Sequence, residues 1–237
     1  MTRGDIIGLV LSYIYAFGLL FVMEAIGERL RWRQEVTRKI IHIGAGMWIW
    51  GILALFDHWY LGIIPFGTFI LLNYIFYRRQ SFDAMDGEQS TPGTVYFAIS
   101  ITILFALLWR TEGATDRVAI AAAAVMAMTW GDALASLVGL RWGEHPYTTF
   151  GHTRSWEGTV AMALSSFVVI FLTMWLVPGS ALSPRGVPTD VVTAALLALV
   201  GAAVATVAEA LSPAGTDNLT VPLLTGAALY LMRVLLG

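Results

Sequence analysis

The chain has 237 residues, of which 57% are hydrophobic and 13% charged, with a formal net charge of −2 and no Cys. Soluble domains carry about a quarter charged residues, so this composition leaves too little polar surface for a water-facing fold and puts most of the chain in lipid. Without Cys there is no disulfide scaffold, thiolate nucleophile or Cys-ligated metal, and with 14 Lys and Arg in all, Lys39 being the single Lys, there is no broad basic face for nucleic acid.

A membrane-spanning helix needs about 20 mostly apolar residues, because lipid offers no partner to backbone NH and CO groups. Eight runs meet or approach that length: Ile6 to Ala25, Ile40 to Phe56, Tyr60 to Tyr77, Thr94 to Trp109, Val118 to Leu140, Gly158 to Val177, Val191 to Leu211 and Val221 to Leu236. The expected fold is all-α: a polytopic membrane protein of about eight transmembrane helices, with residues 1–237 forming one integral-membrane domain. The first run exceeds the apolar stretch of a cleaved secretory signal and reads as a retained helix.

Cytoplasmic loops carry the excess of Arg and Lys. The loops after the odd-numbered spans hold nine, namely Arg29, Arg31, Arg33, Arg38, Lys39, Arg78, Arg79, Arg141 and Arg154, and the other side holds five, Arg3, Arg110, Arg117, Arg185 and Arg233. This count expects both termini outside an inner or plasma membrane, with the odd-numbered loops in the cytoplasm.

Ionisable groups at membrane depth are expensive and mark functional sites. On the expected cytoplasmic side lie Glu35, Arg38, Lys39 and His42 entering span two, Asp132 in span five, His152 to Gly158 in the fifth loop, Glu209 at the end of span seven, and Asp217 with Asn218 beyond it. The outer face holds nothing comparable. Arg38 and His42 are four apart and share a helix face. Asp132 sits in an apolar stretch about 12 Å from Leu140 and needs a counter-charge; the structural alternative is a pair with an Arg of a neighbouring helix. Asp83, Asp86 and Glu88, and likewise Glu144 and His145, read as solvated turns. Gly44, Gly46, Gly131 and Gly139 read as close-packing positions between helices. The site is expected from residues 36–56, 118–159 and 191–236.

Carboxylates gathered with Arg, Lys and His at one leaflet suit a reaction on phosphate, with Mg²⁺ held by oxygens. A Walker A loop and a Rossmann fingerprint are both missing from the sequence. Phosphoryl transfer demands only positioning and neutralisation of spread negative charge, which Arg38, Lys39, Arg154 and a metal on Asp132 and Asp217 could supply to a lipid hydroxyl.

Four ordered blocks, Glu35-x-x-Arg38-Lys39-x-x-His42, Gly131-Asp132-Ala-x-Ala with Gly139 and Gly143, Ser155-x-Glu157-Gly158-Thr159, and Glu209 with Asp217-Asn218-x-x-x-Pro222, resemble the polyprenol kinase family, which includes dolichol, phytol and CTP-dependent diacylglycerol kinases. The resemblance implies transfer of the terminal phosphate of CTP to a membrane-embedded alcohol, with Mg²⁺ as cofactor. It expects Asp132, Asp217, Asn218, Glu157 and Glu209 around the metal, Arg38, Lys39, Arg154 and Ser155 on nucleotide and phosphate, and Asp132, Lys39 and His42 at the chemistry. His42 suits either the hydroxyl proton or a phosphate oxygen. His152-Thr153-Arg154 departs from the family's Lys-rich stretch, although Arg clamps phosphate bidentately. The fifth-loop block also resembles phosphatidate cytidylyltransferases, whose His-Gly-Gly signature is missing here. A proton-coupled transporter, the reading from another class, places its polar sites near the midplane in paired broken helices, whereas these hug one leaflet.

Overall fold

A computed structural model describes residues 1–79, 91–111, 115–213 and 215–236. The chain folds into α1 (Arg3–Arg29), α2 (Gln34–Leu55), a one-turn α3 (Trp59–Gly62) leading into α4 (Ile64–Arg79), α5 (Gly93–Leu108), α6 (Val118–Trp142), α7 (Trp156–Leu176), α8 (Val191–Leu211) and α9 (Asp217–Leu235). Each expected apolar run is therefore helical, the third as a turn plus a helix. Among the described residues six spans, with α3 and α4 taken as one, are long and apolar enough to cross a membrane. Two of the expected eight fall short for different reasons. The first turns of α2 carry Glu35, Arg38, Lys39 and His42, and α5 has 16 residues, about 24 Å of helix against a hydrocarbon core of about 30 Å. Outward-facing Leu164, Leu172, Leu199, Leu224 and Leu231 are exposed on α7, α8 and α9, the pattern of an integral membrane protein whose outer faces meet lipid.

The central element is α6. Its Ala-rich run from Val118 to Met128 is buried on every side, and small side chains let α2, α5, α7 and α9 pack closely around it. The glycines serve that packing. A β-carbon at Gly46 would collide with Thr129 Oγ1 on α6, and one at Gly131 would stand 2.5 Å from Met162 Sδ on α7. Gly46→Val should push α2 off α6 and cost about 1–3 kcal/mol, read as a lower thermal midpoint of the purified protein.

The fifth loop is not a plain loop. It forms an antiparallel hairpin, β1 (Pro146–Thr149) and β2 (His152–Ser155), with Pro146 opposite Ser155 and Thr149 opposite His152. Phe150 and Gly151 turn it with φ of 46° and 81°, positive at both central residues as type I′ turns require. Two four-residue strands are too short to announce themselves in a sequence dominated by helical runs. Thr149 Oγ1 donates to the Ala210 carbonyl at 2.8 Å, which fixes the hairpin to the end of α8.

At the opposite end of the bundle two carboxylates are buried in structural roles. Asp5 is fully buried and accepts the amides of Asp57 and His58 at 3.2 Å each, with His58 Nδ1 at 2.8 Å. These bonds lock α1 to the corner between α2 and α3. Asp116, also buried, accepts the Ser183 hydroxyl at 2.8 Å and the Arg110 amide at 3.1 Å. Both carboxylates satisfy backbone donors at chain reversals, a structural use.

Candidate active site

One face of α2 builds the site. Glu35, Arg38, Lys39, His42, Ala45 and Trp48 recur at helical spacing and line a cavity of about 740 Å³ between α1, α2, α4 and α5, which α6, β2 and the start of α9 complete. Asp132 projects into it from α6. Lys39 Nζ donates to both of its oxygens, at 2.8 and 2.7 Å, and His42 Nε2 stands 3.7 Å from Oδ2. Lys39 is 9% exposed and Asp132 7%. The counter-charge that Asp132 requires is thus the single Lys rather than an Arg. An apolar pair of similar size would hold the helices together at least as well, since desolvating two charges costs several kcal/mol per ion; the pair's retention at membrane depth points to chemistry.

Asp217 and Asn218, the first two residues of α9, line the same cavity. The Asn218 backbone N–H donates to Asp217 Oδ1 at 2.9 Å, while Asn218 Oδ1 is buried and has no hydrogen-bond partner among the described residues. Pro222, inside α9, has no amide to donate to the Asn218 carbonyl four residues back. Arg154 reaches the cavity from β2, ion-paired with the buried Glu209 of α8, and its Nη2 donates to the Ser212 carbonyl at 2.9 Å. The polar end therefore carries Arg38, Lys39 and Arg154 facing Asp132 and Asp217. Much of the remaining wall is apolar, with Leu19, Leu20, Phe66, Phe69, Phe97 and Ile101, and Ser12, Tyr15, Asn73 and Thr94 are set among them.

Seven of the expected site residues line this cavity: Arg38, Lys39, His42, Asp132, Arg154, Asp217 and Asn218. Three stand elsewhere. Ser155 caps α7 by accepting the Gly158 amide at 3.1 Å. Glu157 Oε1 lies 2.6 Å from His145 Nδ1 at the base of the hairpin. Glu209 stands behind Arg154 as its counter-charge. Asp83, Asp86 and Glu88 lie outside the described residues. Ser155→Ala should cost about 1 kcal/mol through loss of the cap, with turnover changed less than about threefold; a thermal melt and a rate assay on one preparation separate the two effects.

Among the described residues no three His, Asp or Glu side chains form a ready-made cage. Mg²⁺ does not require one, because it is commonly held by one or two carboxylates together with substrate phosphates. Asp132, Asp217 and the unpartnered Asn218 Oδ1 fit that all-oxygen donor set.

The motifs lie outside spans one and three, yet α1 and α4 supply much of the apolar wall. Asn73 was also missed: it lines the cavity, and its Nδ2 donates to the Thr94 carbonyl at 3.0 Å, joining α4 to α5. Its signal was present, an amide inside an otherwise apolar run.

No family model matches the chain, and no solved structure matches it. Among curated proteins it is 33% identical over 225 residues to a phytol kinase of Synechocystis sp., covering 94% of this chain and 88% of that one. It is 27% identical to a probable chloroplastic phytol kinase of Oryza sativa subsp. japonica, covering 92% and 70%. To the chloroplastic farnesol kinase of Arabidopsis thaliana it is 25% identical, covering 70% and 56%. With a buried Lys–Asp pair, Asp217 and Asn218 of α9 and a largely apolar wall in one cavity, and with a 33% identical phytol kinase matching 94% of its length, the chain belongs to the polyprenol kinase family, membrane phosphotransferases with an alcohol as acceptor.

Proposed function

We propose that the chain transfers the terminal phosphate of CTP to a membrane-dissolved isoprenoid alcohol of the phytol, polyprenol or dolichol type. The observation that carries this reading is a single cavity with three cations, Arg38, Lys39 and Arg154, and three carboxylates, Glu35, Asp132 and Asp217, together with a largely apolar wall. Such a cavity holds a polar triphosphate and an apolar acceptor side by side, and positioning of this kind supplies a large part of the barrier lowering in phosphoryl transfer. The excess of Arg and Lys in the odd-numbered loops supports a cytoplasmic polar end, where nucleotide is available.

Arg38, Lys39 and Arg154 neutralise phosphate oxygens, with Arg154 held in place by Glu209 and the Ser212 carbonyl. Asp132, Asp217 and Asn218 would hold Mg²⁺, which when bound offsets the charge spread over the triphosphate. His42 stands beside Asp132, one turn of α2 beyond Arg38, on the side toward the apolar wall. There it takes the alcohol proton as the alcohol oxygen bonds to the γ phosphorus of CTP and the bond from that phosphorus to the β–γ bridging oxygen breaks, releasing CDP. His42→Gln should lower kcat by about a hundredfold while KM for nucleotide changes little; an unchanged kcat would remove the proton role.

Purified protein is incubated with Mg²⁺, a prenol and CTP labelled at either the α or the γ phosphate. Label in the lipid from the γ position is the expected result. Label from the α position would establish cytidylyl transfer, and no label with any nucleoside triphosphate would favour transport.

A further inference from the structure

The glycine that opens α5 has no part in the chemistry proposed above, yet it touches that chemistry. Gly93 is buried, lines the cavity and meets the start of α9. The two helix starts interlock. A β-carbon at Gly215, whose φ is 80°, would collide with Thr91 Oγ1, and one at Gly93 would stand 2.9 Å from Asn218 Nδ2. Thr91, Gly93, Gly215 and Asn218 all line the cavity. Gly93 is helical and has no positive φ, so its backbone does not call for glycine, and alanine is the better helix former. What glycine supplies there is room. The same β-carbon would stand 3.4 Å from Thr91 Oγ1 and 3.6 Å from Gly215 Cα, close to the roughly 3.5–4.0 Å of ordinary contact. Only the Asn218 carboxamide falls well inside that limit, and as the free end of a side chain it is the group that would move.

We infer that Gly93 is a positioning residue: by carrying no side chain it sets the Asn218 carboxamide where its oxygen serves the cation. The inference rests on the reading of Asp132, Asp217 and Asn218 as the Mg²⁺ donors. Asn218 Oδ1 is buried and has no hydrogen-bond partner among the described residues, so no protein donor fixes that oxygen. Its place is set by what the nitrogen side of the carboxamide packs on, and that is Gly93. A methyl group at position 93 would shift the carboxamide by roughly half an ångström to one ångström. Mg²⁺ demands near-ideal octahedral geometry, and altering a group that orients a metal ligand changes metal affinity by about 10–100-fold.

Mn²⁺ serves as a paramagnetic stand-in for Mg²⁺. Its half-saturating concentration is measured by electron paramagnetic resonance on the purified full chain with CTP and no alcohol, and each preparation is also melted. The proteins are wild type, Gly93→Ala, Asn218→Ala, the double variant Gly93→Ala/Asn218→Ala, and Gly226→Ala. Gly226 is the packing control: it joins α9 to α5 without lining the cavity, and a β-carbon there would stand 2.7 Å from Leu104 Cδ2. Gly93→Ala should raise the half-saturating Mn²⁺ concentration at least about tenfold, and Gly226→Ala should change it less than about threefold. In the Asn218→Ala background Gly93→Ala should change it less than about twofold, because the methyl then has no carboxamide to displace and effects through a shared partner do not add. Should Gly93→Ala alone fail to fold, the double variant decides: it should melt within about 2 °C of Asn218→Ala, and a larger fall would overturn the inference. Unchanged Mn²⁺ affinity in Gly93→Ala, or an equal loss in both backgrounds, would also overturn it. Unchanged affinity in Asn218→Ala would overturn the donor reading and the inference with it. The binding measurement needs no phosphate transfer, so a failure of the kinase reading shows only in the labelling experiment.

Discussion

Asp132→Asn is expected to lower alcohol phosphorylation by about a thousandfold or more, with the protein still inserted and folded. The amide keeps the size and one acceptor oxygen, so Lys39 retains a hydrogen bond and α2 stays against α6. What is lost is the negative charge that fits Asp132 for a cation and answers Lys39, in a dry setting where electrostatic contributions of this kind are worth about a hundred- to a thousandfold each. Circular dichroism and gel filtration of the same preparation check the fold. Near-normal phosphorylation by this variant would reduce the Lys39–Asp132 pair to a structural role.

The second large effect belongs to Lys39. Lys39→Met leaves Asp132 in the bundle without its ammonium partner, and removing one member of a buried pair costs about 3–5 kcal/mol. It also removes a cation from the polar end of the cavity, so on the proposed reading KM for nucleotide should rise at least about tenfold. Stability and catalysis are separated by the double variant Asp132→Asn/Lys39→Met. Residues in direct contact do not contribute additively, so the double variant should regain most of the stability that Lys39→Met loses and none of the turnover. Recovery of turnover along with stability would show that the pair only holds α2 to α6.

Much of this arrangement could be read before the structure. Among the described residues hydropathy located each long helix, because lipid forces each spanning segment to satisfy its own backbone. Asp132 stood out for the same reason, as a carboxylate with no solvent nearby. The sequence could not show which cation answers it, since Lys39 lies 93 positions earlier and meets it only once α2 packs on α6. Nor could spacing separate the residues that enter the cavity from those that support them. Glu157 is five residues from His152, yet a hairpin turn sends it to His145 while His152 lines the cavity. Glu209 is eight residues from Asp217, yet it ends on Arg154 at the close of α8 whereas Asp217 opens α9 into the site. The apolar wall was the least legible part. Leu19, Phe66 and Phe97 look like any lipid-facing residues, and only the packing of four helices turns them inward.

Glu209→Gln should show its supporting role: Arg154 loses its counter-charge but keeps the Ser212 carbonyl, so turnover should fall by about tenfold, well short of the loss in Asp132→Asn. Rate assays on both variants under one set of conditions make the comparison.

The cation grip at the polar end is tested most directly by changing the hardness of one donor. In Asp217→Cys the carboxylate becomes a thiolate, which prefers soft or borderline metals over Mg²⁺. Phosphorylation should collapse with Mg²⁺ and return at least in part with Mn²⁺ or Cd²⁺, while wild type is expected to work best with Mg²⁺. An equal loss with all three cations, or no loss with Mg²⁺, would contradict a metal held by Asp217.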